Sequence, residues 1–307
     1  MKADALSRTI QNVLTQDAAH LTEALALDAS GARIEVQSLL QQVLNVARAY
    51  LLAHPERGLN DSEQVRYEAL LLRRLQGEPI AYILGEREFF GLIFKVTSAT
   101  LIPRPETELL VELALQRIPS PLSRPDGHPL PYTGEGRGER DEFRVLDLGT
   151  GSGAIALSIA HTRPDVEVVA VDASSEALAV ARENAQRLSV HNATFVQSNW
   201  YAALDEQRFD LIVSNPPYVA AGDPHLQSGD LRFEPASALV SGDDGLDDIR
   251  HIVAQAKAYL SPEGWLLLEH GYDQAIQVRE LMQLAGYRTV FSASDLAGIE
   301  RVSGGRA

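Results

Sequence analysis

The 307-residue sequence predicts an α/β fold: a doubly wound, mostly parallel sheet with a small helical domain on its N-terminal side. Three observations predict it. From Phe143 onward, short apolar runs alternate with helical stretches, which argues for a parallel sheet covered on both faces. Residues 1–87 show only three- and four-residue apolar spacing. A glycine-rich turn follows the first apolar run and opens a helix.

The helical region comes first. Leu6, Ile10, Val13 and Leu14 share one helical face. Ile34, Val36, Leu39, Leu40, Val43, Leu44, Ala47, Tyr50 and Leu51 continue the spacing as one helix that His54-Pro55 stops. A further helix is expected over 62–75, ended by Gly77. Domain 1–87 gathers no cluster of catalytic residue types, so binding or scaffolding is its expected role.

Residues 88–118 form a hairpin and a connecting segment. Phe89-Phe90-Gly91 turns into the alternating stretch Leu92 to Val96. Pro103 and Pro105 fix an extended loop before a helix over 109–117. Over 119–142 prolines (119, 121, 125, 129, 131) alternate with glycines (127, 134, 136, 138), so an exposed, flexible loop without chemistry is expected. Domain 143–307 then carries strands expected at 143–147, 167–171, 194–197, 209–214, 265–269 and 288–291, with a short last one at 300–303.

Bulk composition narrows the function. Hydrophobic residues make up 45%, an ordinary globular share. There is no cysteine, which excludes disulfides, thiolate metal sites and thiol nucleophiles. The eight histidines show no metal-ligand spacing, and no metal is expected. The net charge of −15 lacks the basic footprint usual for nucleic-acid binders, which tilts the expectation toward a protein or small-molecule substrate. No apolar run approaches the roughly 18 residues of a bilayer span, and the first residues lack a signal core. A soluble, cytoplasmic protein with no membrane partner is expected.

Two motifs carry chemistry. Asp147-Leu148-Gly149-Thr150-Gly151-Ser152-Gly153 sits at a strand-to-helix turn. Such a turn can be purely structural, but its Gly-x-Gly-x-Gly spacing differs from that of dinucleotide sites. Asp147 ahead of the glycines would be unwelcome beside a pyrophosphate. An ammonium-bearing ligand without phosphate, S-adenosylmethionine, suits it, with Asp147 able to hold the ammonium directly or through water. Asp172 ends the next strand, where an acid can accept both ribose hydroxyls. Asn199-Trp200 follows the third strand and could flank an adenine, though the residues alone leave open a partly buried core tryptophan.

The second motif, Asn215-Pro216-Pro217-Tyr218, directly follows an apolar strand expected beside the first, at the switch point of the sheet. An amide nitrogen is a poor nucleophile because its lone pair is delocalised. Two acceptors aimed at the NH₂ group, the Asn215 side-chain oxygen and the Pro216 carbonyl, can localise that pair. Tyr218 offers a flat wall for a planar amide. No histidine base is needed.

These residues resemble the release-factor glutamine methyltransferases (the PrmC/HemK family) over nearly the whole length. The resemblance rests on Gly77 to Tyr82, Phe89-Phe90-Gly91, Ile102 to Glu108, the glycine loop, Asn215 to Tyr218, Gly242 to Leu246 and Asp295 to Arg301. It implies a class I adenosylmethionine-dependent, Rossmann-like methyltransferase. The implied reaction methylates the side-chain nitrogen of the glutamine in the Gly-Gly-Gln loop of class I release factors, modulating translation termination and leaving S-adenosylhomocysteine. It implies cofactor binding by Gly149, Thr150, Gly151, Ser152, Gly153, Asp172, Trp200 and Asn215, glutamine binding by Asn215, Pro216, Pro217 and Tyr218, and a helical domain that grips the release factor. Two departures stand out: Asn199 replaces an acid frequent in the family, and the 119–140 stretch is longer. The alternatives are an amino-methyltransferase of nucleic-acid bases, a non-catalytic adenosylmethionine-binding protein and a nicotinamide dehydrogenase. The acidic charge, the intact Asn-Pro-Pro-Tyr and the glycine spacing count against them in turn.

Overall fold

The computed structural model describes residues 8–120 and 142–307, so Leu6 and the 121–141 part of the Pro/Gly stretch lie outside it. The chain divides into two units: Met1–Glu86 with Pro224–Phe233, and Arg87–Asp223 with Glu234–Ala307.

The first unit is helical. Its helices are α1 (Ile10–Leu25), α2 (Ala29–Leu44), α3 (Arg48–Ala53), α4 (Asp61–Leu75) and α5 (Ile80–Leu84). Side chains satisfy the first amides of several of them: Thr9 caps α1, Asp28 caps α2, and Asn60 with Glu63 forms a capping box on α4. Ile10, Val13, Leu14, Val36, Leu39, Leu40, Leu51 and Tyr67 form one core.

One expectation is corrected here. The apolar spacing from Ile34 to Leu51 is not one helix. Asn45 takes a left-handed conformation (φ 52°) that ends α2, and α3 restarts at Arg48. Asparagine adopts that conformation more readily than most residues, so the break needs no glycine. Ile34 and Ala47, expected on the buried face, are exposed, whereas Leu51 is buried through the second helix. α5 was not expected at all; Pro79 precedes it and left-handed Gly85 ends it.

The second unit opens with a hairpin of β1 (Glu86–Phe89) and β2 (Leu92–Lys95). Phe90 and Gly91, both at positive φ, make its two-residue turn. The connection to α6 (Glu108–Arg117) is less extended than expected, because Pro105–Thr107 closes into a 3₁₀ turn.

The remaining strands are β3 (Phe143–Leu148), β4 (Val166–Asp172), β5 (Ala193–Gln197), β6 (Phe209–Ser214), β7 (Leu260–Glu269), β8 (Arg288–Ser294) and β9 (Glu300–Arg306). They form a seven-stranded sheet in the order β5-β4-β3-β6-β7-β9-β8. β9 alone breaks the parallel run, pairing antiparallel with both neighbours. The helices are α7 (Ala154–Thr162), α8 (Ser175–Arg187), α9 (Asp247–Tyr259) and α10 (Ala275–Leu284). Alternate residues of each strand enter opposite cores: Val145, Leu211 and Val213 pack with α6 and α7, while Leu146, Leu148 and Ile212 pack with α9. Both faces are covered, which is the doubly wound arrangement expected. The order reverses between β3 and β6, and their carboxyl ends carry the two motifs.

Candidate active site

The glycine loop leaves β3 and returns as α7. Gly149 and Thr150 both donate to the Val171 carbonyl at 2.9 Å, tying the loop to the end of β4. Gly149, Gly151 and Gly153 all have positive φ. A Cβ at Gly153 would come within 2.9 Å of Leu157, so helix packing as well as backbone angle demands glycine there. Asn184 of α8 is fully buried and braces the loop from behind: its Nδ2 donates to the carbonyls of Ser152 and Lys95, and its Oδ1 accepts from Lys95 N.

Asp147 does not line the cleft as its sequence position suggested. It is fully buried beneath the loop, where Oδ2 accepts from the Thr150 hydroxyl at 2.6 Å and from Ala156 N at 3.2 Å. Burial raises its pKa from 3.8 to about 7 despite those bonds. Asp172, by contrast, is half-buried. Its Oδ2 accepts from Gly151 N at 2.8 Å and its Oδ1 from Ser174 N at 2.9 Å. Each oxygen retains a lone pair.

A cleft of about 430 Å³ opens over these ends. Of the expected cofactor residues, Gly149, Gly151, Asp172, Trp200 and Asn215 line it; Thr150, Ser152 and Gly153 do not, and serve the loop from behind. Trp200 holds a strained left-handed backbone (φ 51°), with the Ser198 hydroxyl donating to its carbonyl at 2.7 Å, and its ring lies against Gly149. Asn199 lines the cleft and is exposed. Among the described lining residues the ionisable groups are Asp172, Glu176 and Asp248, with no lysine or arginine. An all-carboxylate lining repels a pyrophosphate and favours a ligand that carries cations. The ammonium and sulfonium of S-adenosylmethionine meet that requirement.

At the other end, Asn215 follows β6. Its Nδ2 donates to Thr107 Oγ1 at 3.2 Å, while its Oδ1 is buried with no partner. A buried acceptor left open is costly and marks a place where a donor belongs. Pro216 is buried and Pro217 lines the cleft. Tyr218 lines a second cleft of about 470 Å³, and its phenol donates to Glu269 Oε1 at 3.5 Å. Gln274 clamps the chain beyond it, its Nε2 donating to the Tyr218 carbonyl at 3.0 Å. Gly245 lies so close that a Cβ would meet that carbonyl at 2.3 Å. The Gly242 to Leu246 motif therefore seats the Asn-Pro-Pro-Tyr segment.

Glu234 joins two lining stretches by accepting from Ile102 N at 3.1 Å and from the Arg104 guanidinium, which holds residues 98–101 beside residues 235–238. Among the described residues no cluster could hold a metal, and no helix is long and apolar enough to cross a membrane.

Comparison with known proteins accords with this geometry. Residues 16–85 match the PrmC N-terminal domain and residues 138–244 the methyltransferase small domain. A Burkholderia pseudomallei protein named release factor glutamine methyltransferase is 51% identical, over 94% of this chain and 95% of its own length. Proteins of the same name from Salmonella typhimurium and Escherichia coli are 47% and 46% identical, over 91% and 89% of this chain and 94% and 92% of theirs. The chain belongs to the release factor glutamine methyltransferase family. Among solved structures, the hMettl16 catalytic domain in complex with MAT2A 3'UTR hairpin 6 shares the fold, at 18% identity over 80% of this chain and 82% of that one, with a TM-score of 0.50.

Four residues of this family member escaped the sequence reading: Thr107, Asn184, Glu234 and Glu269. Thr107 and Glu234 bond across long stretches of chain that no local spacing reveals. Asn184 reads as an ordinary helix position and Glu269 as the polar end of a strand.

Proposed function

We infer that this chain transfers the methyl group of S-adenosylmethionine to the side-chain amide nitrogen of a release-factor glutamine, the one in the Gly-Gly-Gln motif of class I factors. The observation that carries the site assignment is the buried, unpartnered Oδ1 of Asn215 at the edge of a carboxylate-lined cleft. When bound, the cofactor would supply an electrophilic methyl on sulfur and a neutral thioether leaving group; the methylated amide nitrogen, then strongly acidic, would give its extra proton to a neighbouring acceptor or to water. Asp172 would hold the ribose hydroxyls through its remaining lone pairs, Gly149 and Gly151 would allow close approach of the backbone, and Trp200 would flank the base. Thr150, Ser152 and Gly153 keep that loop in shape.

Asn215 Oδ1 and the Pro216 carbonyl would accept the two N–H bonds of the incoming glutamine amide. That draws the nitrogen lone pair out of conjugation and aims it along the cleft, which is positional and electrostatic preorganisation. Pro217 walls the amide. Tyr218 supports the motif from the side of the second cleft. The helical segment 1–87 would grip the release factor, and a translation factor as substrate places the work in the cytoplasm.

The test is to incubate the purified protein with labelled S-adenosylmethionine and either an unmodified class I release factor or undermethylated nucleic acid. Mass spectrometry should find a single added methyl on the Gly-Gly-Gln glutamine. Label in nucleic acid alone would overturn the protein-substrate reading.

A further inference from the structure

Two of the stretches that line the cofactor cleft come from distant parts of the chain. Ser98 to Leu101 precede α6, whereas Pro235, Ser237 and Ala238 follow the return of the chain from Pro224–Phe233 of the helical unit. The returning residue is Glu234, whose side chain has no exposure. Its Oε2 accepts from Ile102 N at 3.1 Å and its Oε1 from the Arg104 guanidinium, itself part-exposed.

Both stretches also run on to the Asn-Pro-Pro-Tyr motif. Beyond Arg104 the chain closes its 3₁₀ turn, with Thr107 N donating to the Arg104 carbonyl at 3.1 Å. Thr107 Oγ1 then accepts from Asn215 Nδ2 at 3.2 Å. Beyond Ala238, the Leu239 carbonyl accepts from Val219 N at 2.8 Å, and Ser241 N donates to the Val219 carbonyl at 3.0 Å. The motif is therefore held at its first residue through a side chain and just past its last through the backbone. Glu234 ties the two holders together.

We propose that Glu234 is a positioning residue: through Arg104 and the Ile102 amide it sets the register between the Thr107 and Leu239 segments, and so fixes where the Asn215 amide stands. The proposal rests on the reading of Asn215 as acceptor of the substrate amide. A carboxylate taken wholly out of water is costly, and well-packed apolar side chains would stabilise the fold as well or better. The best-attested use of such a buried charge pair is registry. The donors suit that use. A backbone amide fixes one oxygen along the chain, and a charged guanidinium adds a strong bond to the other. An apolar contact could slide, whereas these two bonds cannot both survive a shift of one segment past the other.

The consequence falls on Asn215. Thr107 engages its Nδ2, which leaves Oδ1 open toward a donor. If the Thr107 segment moves, Nδ2 loses its acceptor and the amide is free to turn either end to the substrate. A misplacement of about 1 Å at a reacting group costs on the order of 100-fold in rate. Asp172 and Trp200 are held by bonds of their own, from Gly151, Ser174 and Ser198, so cofactor affinity depends on Glu234 less than turnover does.

The experiment measures kcat and KM for an unmodified class I release factor, with S-adenosylmethionine saturating. The variants are Glu234→Gln, Arg104→Met, Arg104→Lys, Thr107→Val and Glu234→Gln combined with Thr107→Val. Calorimetry gives the S-adenosylhomocysteine affinity in parallel. Glu234→Gln keeps the shape but sets an NH₂ group against one of the two donors. It should lower kcat roughly 10- to 100-fold, with the release-factor KM within about 2-fold and S-adenosylhomocysteine affinity within about 5-fold. Arg104→Met should lower kcat alike, and Arg104→Lys, which keeps a charged donor, should recover part of the loss. The double variant decides the route. If Glu234 acts through Thr107, Thr107→Val alone lowers kcat and adding Glu234→Gln costs little more, at least about 5-fold short of the product of the single losses. A merely structural Glu234 would give losses that multiply, because independent sites add in free energy. If Glu234→Gln fails to fold, Arg104→Met carries the same cycle. Multiplying losses, or wild-type kcat in Glu234→Gln or in Thr107→Val, alongside a strongly impaired Asn215→Ala, would overturn the positioning role and leave the amide reading standing. A fully active Asn215→Ala would remove the amide reading itself, and this proposal with it.

Discussion

Asp147 and Glu269 occupy comparable places in the fold, near the carboxyl ends of β3 and β7, and differ in how they are satisfied. Both are essentially buried, both are raised by burial to about 7, and each leaves one oxygen without a partner. Asp147 is clamped by a 2.6 Å hydroxyl bond and a backbone amide, so the glycine loop is locked before any ligand arrives. Among the described residues Glu269 has only a long phenol contact from Tyr218, three residues beyond Asn215, which itself holds an open acceptor. The glycine loop is thus held by two bonds to its buried carboxylate, whereas Asn215 keeps a buried acceptor open, which costs stability and, on the reading proposed above, would serve an incoming amide.

The largest expected effect tests whether that cost is real. Glu269 rises from 4.5 to about 7 on folding. The folded state therefore holds a proton that the unfolded state releases between those values. The associated stability is complete below pH 4.5 and is lost as pH rises through 7, on the order of 3 kcal/mol. Denaturant unfolding of wild type and Glu269→Gln from pH 4.5 to 8 should show the variant gaining on the wild type as pH rises. A constant difference would mean that Glu269 titrates as an ordinary carboxyl and that the comparison with Asp147 fails.

Next in size is Asn215→Ala. It removes the open acceptor and should lower turnover about 100-fold or more, roughly 2.7 kcal/mol of barrier, with cofactor affinity reduced less. Near-normal turnover would refute the lone-pair argument. At the glycine loop, Thr150→Val strips Asp147 of its short hydroxyl bond and should destabilise the fold by about 2 kcal/mol. That bond favours the charged carboxylate, so the loss should be greater at pH 8 than at pH 5. Equal losses at both would show that Asp147 does not change its charge between them.

Much of this contrast was legible in the sequence at one end and hidden at the other. β6 reads directly because every residue from Phe209 to Ser214 is buried, as in a strand covered on both faces. Its neighbour relation to β3 followed from the doubly wound pattern and placed Asn215 at the switch point. The glycine loop was recognisable from local spacing alone. The break at Asn45 was not, because α3 resumes the apolar phase of α2 closely enough that Leu51 still reaches the core. The Tyr218–Glu269 and Asn215–Thr107 bonds depend on contacts between segments far apart in sequence, and no periodicity encodes them.

The smallest expected effect concerns a third carboxylate, intermediate between the other two. Asp172 lines the cleft and already accepts one backbone N–H on each oxygen, from Gly151 and Ser174. On the reading proposed above, it would hold the cofactor through the lone pairs left over. Asp172→Asn replaces one acceptor oxygen by an NH₂ group, which must then face either the Gly151 or the Ser174 amide, donor against donor. The affinity for S-adenosylhomocysteine should fall about 10-fold, close to 1.4 kcal/mol, because one ribose acceptor is lost and the turn it braces is loosened. Asp172→Glu keeps both acceptors but displaces them by one methylene, so it should recover the turn only in part. Calorimetry with S-adenosylhomocysteine separates these contributions from turnover. If Asp172→Asn binds as tightly as the wild type, the carboxylate serves the loop alone, and Asp172 belongs with Asp147 as part of the locked end.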